Sequence, residues 1–116
     1  MAIPSGSGTE VLKRHQANGV NDAYTTLTVP AHHIYTILTV NLCNYEASGT
    51  SGKTVLMGFQ PNGSGDCWLV ADHPIAGRET FVYNEKFVLT AGDVFRIYSD
   101  STNHDVYVAY IDQDWS

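Results

Sequence analysis

Hydrophobic and polar residues alternate along most of the chain from residue 23 onward, at the spacing of β-strands. In the run HIYTILTVNLCN, Leu38, Val40 and Leu42 fall on one face, while Thr39 and Asn41 fall on the other. This period of two is typical of a strand with one buried face. About seven such runs follow one another at intervals of roughly 8 to 12 residues, and this rhythm predicts a β-sandwich or small barrel.

Two other runs define the expected core. The run TVLMGF places three large apolar side chains on one face: Val55, Met57 and Phe59. The run ETFVYNEKFVL is interpreted as one strand, with Asn84 and Lys86 opposite an apolar side formed by Phe81, Tyr83, Phe87 and Leu89. We therefore predict that residues 23–116 form a single antiparallel β-sandwich, jelly-roll-like, with about seven to eight strands.

Residues 1–22 lack this alternation and are rich in Gly, Ser and Asn. The segment TEVLKRHQ has the length of one or two helical turns capped by Thr9, but it has too few apolar positions for an independent helix. We interpret residues 1–22 as an extended N-terminal arm that must lie against something else.

Composition and charge narrow the class of protein. Val, Thr, Tyr, Ile, Phe and Gly are abundant, which favours strands and turns, and the length of 116 residues fits one domain. A net charge of −6, from 12 acids and 6 bases, disfavours nucleic acid or an anionic membrane as a partner. The first residues lack the apolar region of a signal peptide, so we expect a protein made in the cytosol, with Cys43 and Cys67 unpaired.

The segment ASGTSGKT, residues 47–54, has the form of a phosphate-binding loop that follows a strand. A working loop needs a helix beginning at its Lys-Thr, since N–H groups at the helix N-terminus hold the phosphates. The residues that follow contain Gly58 and Pro61 and alternate like a strand. We therefore predict a hairpin loop with Lys53 solvated at its tip, and no nucleotide cofactor.

We predict no catalytic, cofactor-binding or metal-binding residue, and no enzymatic activity. The chain has five histidines without the H-x-H or H-x₃₋₅-H spacing of a zinc site: His15, His32, His33, His73 and His104. Its two GSG turns lack the pattern of a nucleophile elbow. Four aspartates are interpreted as surface charges flanking strands: Asp100, Asp105, Asp112 and Asp114.

Several aromatic residues are candidates for a sugar-binding face, because apolar sugar faces stack on rings and Tyr and Trp also carry a polar group. They are Tyr35, Tyr98, Tyr107, Tyr110, Trp68 and Trp115. Core packing and subunit contact are the commoner uses of such residues, so both interpretations stay open.

The order of motifs over residues 25–112 resembles that of small β-sandwich proteins in tailed-bacteriophage virions. The residues that carry the resemblance are Val29, Pro30, Leu42, Cys43, Asn44, Leu89, Ala91, Gly92 and Asp93. In the L-x-A-G-D turn, Gly92 supplies a permissive backbone and Asp93 is expected to bond local N–H groups.

The resemblance implies a capsid decoration or cement protein, located in the virion after assembly in the host cytoplasm. It implies a homo-oligomer, with a trimer favoured, that binds the major capsid protein or another virion protein. The expected contacts are in the N-terminal arm: Ile3, Pro4, Val11, Leu12, Lys13 and Arg14. The alternative is a head-fibre, neck or tail component that holds a surface glycan.

Overall fold

The computed structural model describes residues 9–62 and 64–115, and these residues form nine β-strands and no helix. The strands are β1 (Thr9–Val20), β2 (Ala23–Thr28), β3 (His33–Asn44), β4 (Thr54–Gln60), β5 (Cys67–Pro74), β6 (Thr80–Tyr83), β7 (Phe87–Thr90), β8 (Val94–Ser99) and β9 (His104–Asp114).

The strands form two sheets whose neighbouring strands are all antiparallel. In sheet A the order is β1-β9-β3-β6, with β7 also paired to β3, and in sheet B the order is β2-β8-β4-β5. The chain crosses repeatedly between the sheets, so that β1 and β9, at opposite ends of the described sequence, are neighbours. This is the strand order of a jelly roll, and it confirms the predicted all-β antiparallel sandwich.

The core lies between the sheets and takes alternate side chains from each. Its buried hydrophobic residues are Val29, Tyr35, Ile37, Val40, Leu42, Val55, Met57, Ile75, Phe81, Leu89, Phe95, Ile97, Val106, Val108 and Tyr110. Val55 and Met57 are fully buried and Phe59 packs against the cluster, as predicted. Burial of an apolar side chain of this size contributes about 1.5–3 kcal/mol to folding.

A β-bulge in β3 changes which residues face the core. Ile37 pairs with Tyr110 on β9, and the next paired residue of β3 is Thr39, so Leu38 is the extra residue. Buried positions therefore change from odd numbers, as at Ile37, to even numbers, as at Val40. The prediction that Leu38 shares a face with Val40 is wrong for this reason.

The run predicted as one strand after residue 79 is two strands, β6 and β7, separated by residues 84–86. Both pair with β3, one beyond the other along the same edge. The predicted facing is confirmed, because Phe81 and Leu89 are buried and Tyr83 and Phe87 pack against the core.

The turn between β7 and β8 matches its predicted chemistry. Gly92 has a φ of 87°, in the left-handed region that favours glycine. The Asp93 carboxylate accepts hydrogen bonds from the backbone N–H groups of Thr90, at 2.9 Å, and Asn62, at 3.0 Å. Asp93 thereby joins this turn to the loop that leaves β4.

The second half of the predicted arm is an edge strand of sheet A. β1 pairs with β9 from Thr9 opposite Asp114 to Val20 opposite His104. The helical turn considered for TEVLKRHQ is therefore wrong. Strand β9 has β3 on one side only, and its remaining backbone N–H and C=O groups take β1 as their partner.

Candidate functional site

The outer face of sheet A, which points away from sheet B, exposes four large hydrophobic side chains. They are Leu12 (71% exposed), Val88 (56%), Val82 (51%) and Tyr107 (39%). Among the strand residues that the structure describes, this face carries its charges on β1 and at the start of β9, at Glu10, Arg14 and Asp105. The strand residues of β3, β6 and β7 on this face are therefore uncharged, whereas Glu85 and Lys86 lie in the connection between β6 and β7.

The residues predicted to form the partner-binding arm are divided between two faces. Two of them lie outside the described residues: Ile3 and Pro4. In β1, Val11 and Lys13 share the inner face of sheet A, while Leu12 and Arg14 share its outer face. An open groove of about 370 Å³ runs beside Leu12 and Arg14 and reaches Tyr107 on β9.

Lys13 is engaged within the chain. Its Nζ donates to Asp112 Oδ2 at 2.8 Å, and the other oxygen of Asp112 lies 2.6 Å from His33 Nδ1. Asp112 is only 4% exposed, so its interpretation as a surface charge is wrong. Burial alone would raise the pKa of Asp112, but the hydrogen bonds and charges of Lys13 and His33 lower it overall, and Asp112 in turn raises the pKa of Lys13.

We expect the Asp112 contacts to make the free energy of unfolding decrease as the pH falls in the acid range. Because the pKa of Asp112 is lowered on folding, its stabilisation is present above the usual value of 3.8 and is lost as pH falls through the folded-state pKa. The change Asp112→Asn should lower the free energy of unfolding by about 1–3 kcal/mol at pH 7. Urea unfolding of both proteins at several pH values measures this, and a difference that stayed constant down to pH 2 would contradict it.

The ASGTSGKT segment connects β3 to β4 as a loop, and the predicted strand after it is confirmed as β4. The prediction that Lys53 is solvated at the loop tip is wrong. Lys53 is half-buried, and its Nζ donates to the Asp100 carbonyl oxygen at 3.3 Å. The Thr54 N–H donates to the Asp100 carboxylate at 2.9 Å. The loop borders an open cleft of about 260 Å³ whose lining includes both Lys53 and Glu79.

Histidine and cysteine residues form no metal-binding cluster within residues 9–62 and 64–115. His33 is bound to Asp112, and His104 is buried with its Nδ1 at 2.9 Å from Ser101 Oγ. Burial lowers the pKa of His104, which keeps the imidazole neutral at pH 7. Cys43 lies in sheet A and Cys67 lies in sheet B, and they are not bonded to each other.

The outer face of sheet B holds a group of aromatic and charged side chains. Trp68 on β5 and Arg96 on β8 flank Gly58, which pairs with both of them from β4. The Arg96 guanidinium lies 4.1 Å from the centre of the Tyr24 ring, and its Nη1 donates to Asp66 Oδ1 at 2.9 Å. Trp68 is 38% exposed and Tyr24 is 40% exposed, so both rings are open to a ligand.

Tyr98 extends this group along β8, two residues beyond Arg96. Its ring centre is 4.9 Å from that of Tyr24, and its hydroxyl donates to the Asp22 carboxylate. This hydrogen bond raises the pKa of Tyr98 to about 12. The sequence identified Trp68 and Tyr98 as candidates but missed Tyr24 and Arg96, because only the pairing of β2 with β8 brings those two residues together.

Other candidate aromatics belong to the interior. Tyr35 and Tyr110 are each 6% exposed, and their rings pack at 4.6 Å between centres. Burial raises the pKa of Tyr35 to about 12. Trp115 is half-buried, and its indole N–H has no acceptor among the described residues. Burial therefore removes Tyr35 and Tyr110 from the sugar-binding interpretation, which stays a prediction for the exposed candidates such as Trp68 and Tyr107.

No known protein family, curated protein or solved structure matches the chain. The resemblance to bacteriophage virion proteins, and the partners that it implies, therefore stay predictions. Within the part of the chain that the structure describes, no helix is long and apolar enough to cross a membrane.

Proposed function

We propose that the protein is a non-enzymatic structural protein of a virion, which self-associates through the outer face of sheet A and decorates a capsid surface. The observation that carries the proposal is the exposure of four large hydrophobic side chains across that face: Leu12 on β1, Tyr107 on β9, Val82 on β6 and Val88 on β7. Exposed apolar side chains on a sheet face favour protein–protein contact, because their removal from water is favourable.

The size of the face fits a subunit contact. Sheet A is four strands wide, because β6 and β7 occupy the same edge. With a strand separation of about 4.8 Å and a strand length of about 30 Å, the area of the face is roughly 600 Å². One partner in a small stable interface contributes about 800 Å². The loops beside the sheet supply the remainder, and we favour a trimer, as the resemblance implies.

Capsid attachment is assigned to the N-terminal segment together with the outer side of β1. Leu12 and Arg14 face outward there, next to the groove that reaches Tyr107. Lys13 lines the same groove and its side chain is 45% exposed, but its ammonium group already pairs with Asp112. Attachment through several copies of a short segment gains from multivalency, which offsets the entropy lost when each segment is ordered.

The change Val88→Glu tests self-association. A charge at Val88 on the outer face must lose its hydration when a neighbouring subunit covers that face, so we expect the dissociation constant of the oligomer to rise at least tenfold. The matched control is Thr28→Glu, which places the same charge at an exposed position on sheet B. Light scattering during size-exclusion chromatography measures the oligomer, and circular dichroism checks the fold.

Three results would overturn the proposal or one of its parts. A wild-type protein that stays monomeric at 100 µM would remove self-association, and equal oligomers from Val88→Glu and the wild type would remove the outer face of sheet A as the contact. Capsid attachment is measured by co-sedimentation with purified capsids of the phage whose genome encodes the chain. Failure to co-sediment would remove the virion role even if the oligomer forms.

A further inference from the structure

We propose that the outer face of sheet B binds a neutral sugar, which stacks on the Trp68 indole and is hydrogen-bonded by Arg96 and Asp66. This inference does not depend on the proposed self-association, because the two surfaces lie on opposite sides of the sandwich. It rests on the way that the sheet holds one ring and one ion pair in fixed positions.

Gly58 creates the place for the indole ring. A Cβ at this position would lie 2.8 Å from Trp68 Cε3 and 2.9 Å from Trp68 Cα, which is too close for any side chain. The ring of Trp68 therefore lies next to the backbone of β4, and the residue stays 38% exposed. A ring that is held in place in this way needs less ordering when an apolar sugar face stacks on it.

Arg96 and Asp66 supply hydrogen-bonding groups beside the ring. Only one guanidinium nitrogen of Arg96 is used in its 2.9 Å bond to Asp66, and the side chains are 23% and 29% exposed. Contact with the Tyr24 ring holds the guanidinium in place. The remaining N–H donors of Arg96 and the carboxylate oxygens of Asp66 match the hydroxyl groups of a sugar, which both donate and accept.

The charges on this face favour a neutral sugar over an acidic one. Asp66 neutralises Arg96, and Asp22 adds a second carboxylate through its bond to Tyr98. The group therefore contains one base, Arg96, and two acids, Asp66 and Asp22, on a chain whose net charge is −6. A carboxylate or sulfate on the sugar would be repelled by this field.

Binding is tested with an array of neutral and acidic glycans, followed by titration of the best neutral glycan. The chain contains two tryptophans, so the variant Trp115→Phe leaves Trp68 as the only indole that reports fluorescence. We expect a saturable change in Trp68 fluorescence with a dissociation constant near 1 mM, as is typical of a small, exposed contact.

Two variants and one control locate the site. Trp68→Ala and Arg96→Ala, measured by ligand-observed NMR with the same glycan, should each weaken binding at least tenfold. Tyr107→Ala removes an equally exposed ring from sheet A and should change the affinity less than twofold. Absence of binding to every neutral glycan would overturn the inference, and so would a preference for acidic glycans or full affinity in Trp68→Ala.

Discussion

Removal of residues 1–20 is expected to abolish the native fold, whereas removal of residues 1–8 is expected to leave it intact. All nine described strands lie within residues 9–114, so the shorter deletion spares each of them. The longer deletion removes β1 and leaves one whole edge of β9 unpaired. The same deletion removes Lys13, one of two partners of the buried Asp112 carboxylate.

The expected cost of losing β1 is comparable to the whole stability of a small domain. β1 and β9 are joined at ten residue pairs. About ten backbone hydrogen bonds at roughly 0.5–1 kcal/mol each contribute about 5–10 kcal/mol, and domains of this size are stable by about 5–15 kcal/mol. An unpaired β9 would also present an edge for aggregation.

Soluble yield, circular dichroism and thermal unfolding of the two truncated proteins measure the difference. A protein lacking residues 1–20 that unfolds cooperatively near the wild-type temperature would contradict the prediction. The shorter truncation is also the right variant for capsid co-sedimentation, because loss of attachment in it does not arise from damage to sheet A.

The change Gly58→Ala is expected to lower the free energy of unfolding by about 2–4 kcal/mol, at the upper end of the cost of overpacking. The added Cβ would fall inside van der Waals contact of the Cys67 carbonyl oxygen and press on Trp68. A backbone oxygen cannot rotate away, so β5 must shift as a strand. That shift would disturb the pairing of β4 with β5.

Gly65→Ala is the matched control for this substitution. A Cβ at Gly65 meets no atom within 4 Å, and the position has no left-handed φ, so we expect a change within about 0.5 kcal/mol. Urea unfolding of the two variants and the wild type gives the comparison. Equal stability of Gly58→Ala and Gly65→Ala would show that β5 adjusts at no cost.

The sequence was sufficient for the fold class because most strands have one buried face. Local sequence was enough to predict two features that the structure shows. One is the burial of Val55 and Met57 on the inner face of β4, and the other is the turn formed by Gly92 and Asp93. Strand β1 could not be recognised in this way, since residues 9–14 are exposed on both faces. β1 forms a strand because its backbone hydrogen-bonds to the otherwise unpaired edge of β9, which lies almost a hundred residues away in the sequence.

Other differences arise from contacts that periodicity does not encode. The bulge at Leu38 depends on the register with β9, and the position of Lys53 depends on the Asp100 carbonyl oxygen. The sheet B group required knowledge that Gly58 lies between Trp68 and Arg96. No pattern in a single sequence reports such cross-strand neighbours, so the candidate site was only partly predictable.

The position of β9 also determines the order in which the protein can fold. β9 is a central strand of sheet A, and among the nine described strands it alone joins β1 to β3. During synthesis β1 therefore stays unpaired until residues 104–114 have left the ribosome. The four strands of sheet B are all made earlier and can pair before that point. We expect slow folding of the kind that long-range strand pairing imposes, with β1 as the last strand to dock.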